Sequence, residues 1–174
     1  MHDRDLIQRC RSGDAEAKRC LFEQTSDRVY RLLLRMTGNA NDAADLTQET
    51  YVKGLQGLDR FDGRSTIGSW LYRIAVNEAL QLRRRQGTAR LKLRNLAANR
   101  PDATQNPSVE VRLDVAAALM ELPPDDQAVL LLRYQEALDY RAIAEVLDCA
   151  EGTVASRLNR ARDRLRDSLR KSYG

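Results

Sequence analysis

Trp70, Arg73, Asn77, Gln81 and Arg84 stand at steps of three, four, four and three, so on a helix they form one continuous face. An aromatic ring followed by a guanidinium, two amides and a second guanidinium is a face that single-stranded nucleic acid can use. Bases stack on the ring, at about 1–3 kcal/mol each, while arginines meet phosphates. A core tryptophan beside a wet polar surface accounts for the same residues equally well. A second set lies near the C-terminus, where Ala155, Ser156, Asn159 and Arg160, flanked by Thr153, Arg157 and Arg164, offer short or guanidinium-bearing side chains. Such side chains reach base edges and phosphates in a duplex groove. A third set, Asp45, Gln48, Glu49 and Val52, shares an outward helix face at steps of three, one and three. Taken alone, most faces of that kind are solvated surface.

Other chemistries find no footing. His2 is the only histidine, and Cys10, Cys20 and Cys149 are an odd, widely spaced set without a Cys-x-x-Cys pair, so zinc lacks ligands. Buried thiols in a reducing cytoplasm are the expectation. No Ser, Cys or His falls in an arrangement for nucleophilic or metal chemistry, and the paired acids lie on helix surfaces. We therefore expect no enzyme, no metal and no cofactor. The start, Met-His-Asp-Arg-Asp, is charged and leads into no apolar run, and no stretch of about 20 apolar residues could span a bilayer. A cytoplasmic protein without membrane insertion is expected.

The elements that must position these residues are helices. Four prolines, nine glycines and few aromatics in 174 residues predict an all-α chain. The net charge of +4 is modest but unevenly spread. Arg83, Arg84, Arg85, Arg90, Lys92, Arg94 and Arg100 run without an intervening acid, whereas Met36 to Asp62 is acidic. That polarity suits a polyanion at one surface and a different partner at another.

In order, Asp3 can cap a first helix with Leu6, Ile7 and Cys10, and Ser12-Gly13-Asp14 breaks and recaps it. A longer helix carries Leu21, Phe22, Val29, Leu32, Leu33 and Met36 inward and ends at Gly38. Asn41 is expected to cap the acidic helix, whose end should fray at Gly54 and Gly57. Arg60 to Arg64 is a loop, and Ser65 is expected to cap the helix bearing the Trp70 face. From Gly87 to Pro107 the apolar period fails, which predicts a flexible linker with a helical piece near Leu91 to Ala98. Ser108 then caps a helix with Leu113, Ala116, Ala117 and Met120 inward, and Pro124 suits the first turn of the next. Two short helices follow. Ile143, Ala144 and Leu147 line one, Val154, Leu158, Ala161, Leu165 and Leu169 line the other, and small Ala144 stands at their crossing, a helix-turn-helix pattern. Two small helical domains, 1–86 and 108–174, are thus joined by a linker, 87–107.

Asp42-Ala43-Ala44-Asp45-Leu46-Thr47-Gln48-Glu49-Thr50-Tyr51, Arg60-Phe61 and Trp70-Leu71-Tyr72-Arg73-Ile74-Ala75-Val76-Asn77 resemble region 2 of bacterial sigma factors of the extracytoplasmic-function type. Leu122-Pro123-Pro124, Tyr140 to Leu147 and Glu151 to Arg162 resemble region 4. The resemblance implies a transcription initiation factor that directs core RNA polymerase to particular promoters. It implies that Asp45, Gln48, Glu49 and Val52 dock on the coiled coil of the largest polymerase subunit. Phe61, Gly63, Arg64 and Ser65, with Trp70, Arg73, Asn77, Gln81 and Arg84, would hold the melted -10 element and one flipped base. Thr153, Ala155, Ser156, Arg157, Asn159, Arg160 and Arg164 would face the duplex -35 element. An anti-sigma protein that clamps both domains is a further implied partner. Ile67 stands where the family commonly has phenylalanine, Gly54-Leu55 where an alanine-aromatic pair is common, Asp148 where glycine is usual and Ala155 where a basic residue is frequent. Two alternatives remain, a dimeric helix-turn-helix regulator, which stable binding to core polymerase separates from the first reading, and a helical interaction module, which requires that there be no salt-sensitive DNA binding.

Overall fold

The computed structural model describes residues 3–93 and 115–173, and every regular element among them is helical. Helix α1 spans Asp3–Arg11, α2 Ala15–Thr37 and α3 Ala40–Gln56; after a 3-10 turn at Leu58–Arg60, α4 spans Ile67–Leu93. Beyond the gap come α5 (115–121), α6 (Pro124–Tyr134), α7 (Tyr140–Leu147) and α8 (Glu151–Tyr173).

The helix ends follow local chemistry, with two shifts from expectation. Asp14 accepts from the N–H groups of Glu16 and Ala17 and starts α2, and Gly38 closes it at φ 68°, its N–H bonded to Leu34. The cap of α3 is Asn39 rather than Asn41, accepting from Asn41 N–H at 2.8 Å and Asp42 N–H at 3.1 Å. The cap of α4 is Thr66 rather than Ser65, its hydroxyl accepting from Ser69 N–H at 3.1 Å. In both places neighbouring residues offer the same chemistry, and the phase of the helix chooses between them. Pro124 does occupy the first turn of α6.

Helix α3 continues past Gly54 instead of fraying there. A Cβ on that residue would stand 2.8 Å from Leu71 Cδ2, so the glycine lets α3 and α4 approach closely, which outweighs its poor helix propensity. Phe22, expected in the core, is 45% exposed, its ring packed edge-on against Tyr51. In α5 the inward residues are Ala118 and Leu119, joined by Leu122, while Ala117 is exposed. A run of alanines fixes no helical phase by itself, and the docking of Leu119 and Leu122 sets it. Helix α4 does not stop at Gly87 but runs to Leu93; Leu113, the Ser108 cap and the rest of the expected linker lie outside the described residues.

Two apolar clusters hold the molecule. The smaller joins Leu6, Ile7 and Cys10 of α1 and Ala17 and Leu21 of α2 to Leu58, Phe61 and Ile67. Burial pushes the Cys10 thiol pKa up, as expected of an inert core thiol. The larger cluster runs from Val29, Leu32 and Leu33 of α2 and Leu71, Ala75 and Val76 of α4 through Val129 and Leu132 of α6 to Ile143, Val154 and Leu158 of the helix-turn-helix. The two blocks therefore share one core, where each fully buried leucine contributes about 1.5–3 kcal/mol over exposure.

Candidate nucleic-acid interface

The loop after the 3-10 turn and the first turns of α4 enclose a cavity of about 410 Å³, lined by Arg60, Phe61, Asp62, Arg64, Ser65, Ser69, Trp70 and Arg73. Its centre is Trp70. The Phe61 ring meets the indole edge-on with centroids 5.6 Å apart, and the Arg73 guanidinium lies over the indole at 4.7 Å. Offset aromatic contacts and a cation over the ring hold the indole at one angle. Its Nε1 is buried without a hydrogen-bond partner, the kind of donor that a ligand or water would satisfy. Trp70 is neither pure core nor free surface: half buried, it belongs to the packing of both clusters.

Of the nucleic-acid face read from the sequence, the structure brings Phe61, Arg64, Ser65, Trp70 and Arg73 to this cavity. Gly63, at φ 72°, sits at the loop tip on the side toward α1. Phe61 is buried and acts as the cavity's support. Asn77, Gln81 and Arg84 lie outside the lining, exposed along α4 beyond Arg73. Asn77 lies about one turn, or ~6 Å, further along the helix than Arg73. The residues that sequence reasoning left out of the lining are Arg60, Asp62 and Ser69. The Asp62 side chain accepts from Arg64 N–H at 3.0 Å and pairs with its guanidinium, shaping the loop tip.

The cavity also has two lining residues from the other block, Glu145 and Asp148 of the helix-turn-helix. Helix α7 lies against α4, so its acidic end stands beside the arginines of the cavity. Behind it, Glu136, 5% exposed, accepts from the Tyr72 hydroxyl and from Arg28 Nε at 3.2 Å. Burial, and then the adjoining Glu136, push the Tyr72 hydroxyl well above the usual phenol pKa. Arg83 donates to the carbonyls of Met36 and Met120 and to Gln127 Oε1, and Gln127 donates back to the Arg35 carbonyl at 2.8 Å. In the sequence Arg83 reads as part of a basic run for a polyanion. Here it joins the two blocks.

In the helix-turn-helix, Ala144 is buried at the crossing, and Asp148 takes the left-handed turn at φ 49° with its N–H on the Ala144 carbonyl. Along α8, Ser156, Asn159 and Arg160 are exposed while Thr153, Ala155 and Arg157 are half exposed. The arginines have partners of their own. Arg160 lies 3.6 Å from Asp126 and Arg164 is hydrogen-bonded to the same carboxylate, which is 3% exposed; Arg157 is 3.9 Å from Asp125. Both acids stand in the first turn of α6, so they fix the pitch of α8 against that helix. Arg162 donates to Asn159. The third face is intact: Asp45, Gln48, Glu49 and Val52 are all exposed on α3, with Val52 at 50%. Glu49 and Glu78 share Lys53 at 3.1 and 2.7 Å, which leaves Asp45 as the acid at the centre of that face. Among the described residues no three His, Cys, Asp or Glu side chains converge as metal ligands, and no helix is long and apolar enough to cross a membrane.

Residues 21–88 match the family model of Sigma-70 region 2, and residues 112–165 match that of Sigma-70 region 4. The chain is 40% identical over 157 residues to the ECF RNA polymerase sigma factor SigE of Mycolicibacterium smegmatis, covering 87% of this chain and 61% of that protein. It is 32% identical to the ECF RNA polymerase sigma-E factor of Haemophilus influenzae, across 96% of this chain and 95% of the relative. Among solved structures, CnrH in complex with the cytosolic domain of CnrY aligns at TM-score 0.75 and 23% identity over 97% of each chain. The sigma factor RpoE in complex with the anti-sigma factor NepR from Bartonella quintana aligns at 0.69 and 24%, over 87% of this chain and 96% of that one. At those identities the likeness is one of fold.

Proposed function

The chain belongs to the extracytoplasmic-function sigma factors of RNA polymerase, which are transcription initiation factors, and from that premise we propose how its surfaces divide the work. The cavity around Trp70 takes one unstacked base of the -10 element. The observation that carries this reading is the indole held between Phe61 and Arg73, with its Nε1 unpartnered and the Arg60 and Arg64 side chains in the same wall. Stacking supplies affinity, the guanidiniums meet backbone phosphates, and the cost of flipping is offset by both. Exposed Asn77, Gln81 and Arg84 then guide the strand along α4 rather than hold the captured base. Helix α8 enters the major groove at the -35 element with Ser156, Asn159 and Arg160 foremost. Asp45, Gln48, Glu49 and Val52 dock on the coiled coil of the largest subunit of core polymerase. The protein acts in the cytoplasm, where that polymerase is.

This division requires the two blocks to part. The elements are about 25 base pairs apart, roughly 85 Å of duplex at ~3.4 Å per pair, whereas here α7 is packed on α4. DNA entering the Trp70 cavity must also displace Glu145 and Asp148, whose carboxylates occupy ground a phosphate would take. The shared core is therefore an off state, and a protein that binds both blocks at once would prolong it. We assign that part to an anti-sigma protein, consistent with the complexes in which the two similar folds were solved.

Run-off transcription with purified core polymerase on a genomic fragment library, with start sites mapped by sequencing, tests the function. Starts that appear only when this chain is added, and share sequences at -10 and -35, are expected. No added starts, with core binding intact, would refute the reading.

A further inference from the structure

The loop that walls the Trp70 cavity does not hold itself in place. Its underside, Leu58, Phe61 and Ile67, packs on Leu6, Ile7 and Cys10 of α1. Arg11, the last residue of α1, adds a polar tie. Its Nε and Nη2 donate to the Leu58 carbonyl, both at 3.1 Å, and Nη2 also donates to the Phe61 carbonyl. These carbonyls stand at the first residue of the 3-10 turn and just past its end, so one guanidinium fixes where the turn finishes and the loop begins. Phe61 passes that position on, because its ring meets the Trp70 edge. None of α1 falls within residues 21–88, the part that matches the region 2 family model.

We propose that Arg11 is a positioning residue for -10 recognition: through the Leu58 and Phe61 carbonyls it sets the distance of the loop from Trp70, and so the fit of the cavity to an unstacked base, without touching DNA. The inference rests on the reading of that cavity as the base site. A lysine cannot replace it in full, since an ammonium is a point charge and lacks the planar fork that spans two carbonyls. Arg11 lies outside the acidic α3 face and outside α8, so the effect belongs to the -10 element alone.

The test uses the full chain reconstituted with core polymerase, as wild type, Arg11→Ala, Arg11→Lys and Arg73→Ala. The probes are a labelled single-stranded oligonucleotide carrying the -10 sequence of a mapped promoter and a duplex carrying its -35 element. Arg11→Ala should weaken single-strand binding about tenfold or more, as expected when a charged donor to two carbonyls is lost. Arg11→Lys should fall between it and wild type. Core binding, -35 binding and helix content should stay at wild-type values in both. Wild-type single-strand affinity in Arg11→Ala, with a loss in Arg73→Ala, overturns the inference and leaves the cavity reading standing. Wild-type affinity in all three variants overturns both. Equal losses in -35 binding and helix content would make Arg11 a general stabiliser and overturn its positioning role.

Discussion

Arg160 faces two demands. It is exposed on the side of α8 turned to solvent, yet its guanidinium is 3.6 Å from buried Asp126. Arg164, hydrogen-bonded to the same carboxylate, keeps Asp126 paired if Arg160 turns to DNA. The arginine nearer the start of α8 is thus free to read while the later one holds the helix. Arg160→Ala should cost about 1–3 kcal/mol of -35 affinity, concentrated at one base pair if the guanidinium is bidentate to guanine. Binding to every single-base variant of the element checks this; a uniform loss would make Arg160 a phosphate contact. Arg164→Ala should instead lower stability, because it leaves a buried carboxylate with only the longer Arg160 contact. At this scale the sequence named Trp70, Arg73 and the α8 side chains, since type and spacing carry that information. It did not name Asp126, Glu136 or Arg11, whose roles depend on which carbonyl or guanidinium the fold brings to them.

The helices were largely legible, because apolar residues at steps of three and four survive any tertiary detail. The starts of α3 and α4 were legible to within two residues, since Asn39 for Asn41 and Thr66 for Ser65 are exchanges between chemically similar caps; the far end of α4 was not, because it runs past Gly87 to Leu93. Gly54 misled for a different reason, since its purpose is contact with Leu71 and propensity is blind to contact. Asp148, which stands where the family usually has glycine, takes the left-handed turn of the helix-turn-helix at φ 49°. Aspartate bears a steric cost there that glycine does not, so Asp148→Gly should stabilise the fold by roughly 0.5–1 kcal/mol, measurable as a rise in Tm. An unchanged or lower Tm would mean that the Asp148 carboxylate makes a compensating contact. On α3, Asp45→Arg with Gln48→Arg should abolish co-purification with core polymerase while circular dichroism stays unchanged. Normal co-purification would remove the polymerase role from that face.

The whole molecule adds a contact that the sequence does not carry. The sequence predicts two domains on a linker, and both blocks are there, but they share a core sealed by Tyr72, Arg28 and Glu136 and by Arg83 with Gln127. Docking of one helical block on another leaves no periodic trace, and a buried glutamate in a turn looks like any surface acid. Ala137, next to Glu136, is left-handed at φ 55°, an arrangement that costs about 1–2 kcal/mol for an L-residue, and the Leu138 N–H closes that turn on the Leu132 carbonyl at 3.1 Å. Tyr72→Phe should loosen the closed state by about 1–3 kcal/mol, because a buried carboxylate loses a donor. Small-angle scattering should show a larger radius of gyration than wild type, and single-strand -10 binding should improve as the cavity is uncovered. Alkaline pH should act in the same direction. The Tyr72 hydroxyl is held neutral in the closed form, so its contribution is complete below the ordinary phenol pKa near ~10 and is lost as pH rises past it.

The claim on which the rest depends is that the Trp70 cavity holds one unstacked base. Holoenzyme made with this chain can be titrated with single-stranded -10 oligonucleotides in which each position in turn is abasic. One position should lose about 1–3 kcal/mol of binding, the worth of a stacked base, and Arg73→Ala should shrink that loss at the same position while the others stay as they were. Equal losses at every position, or none at any, would contradict the account.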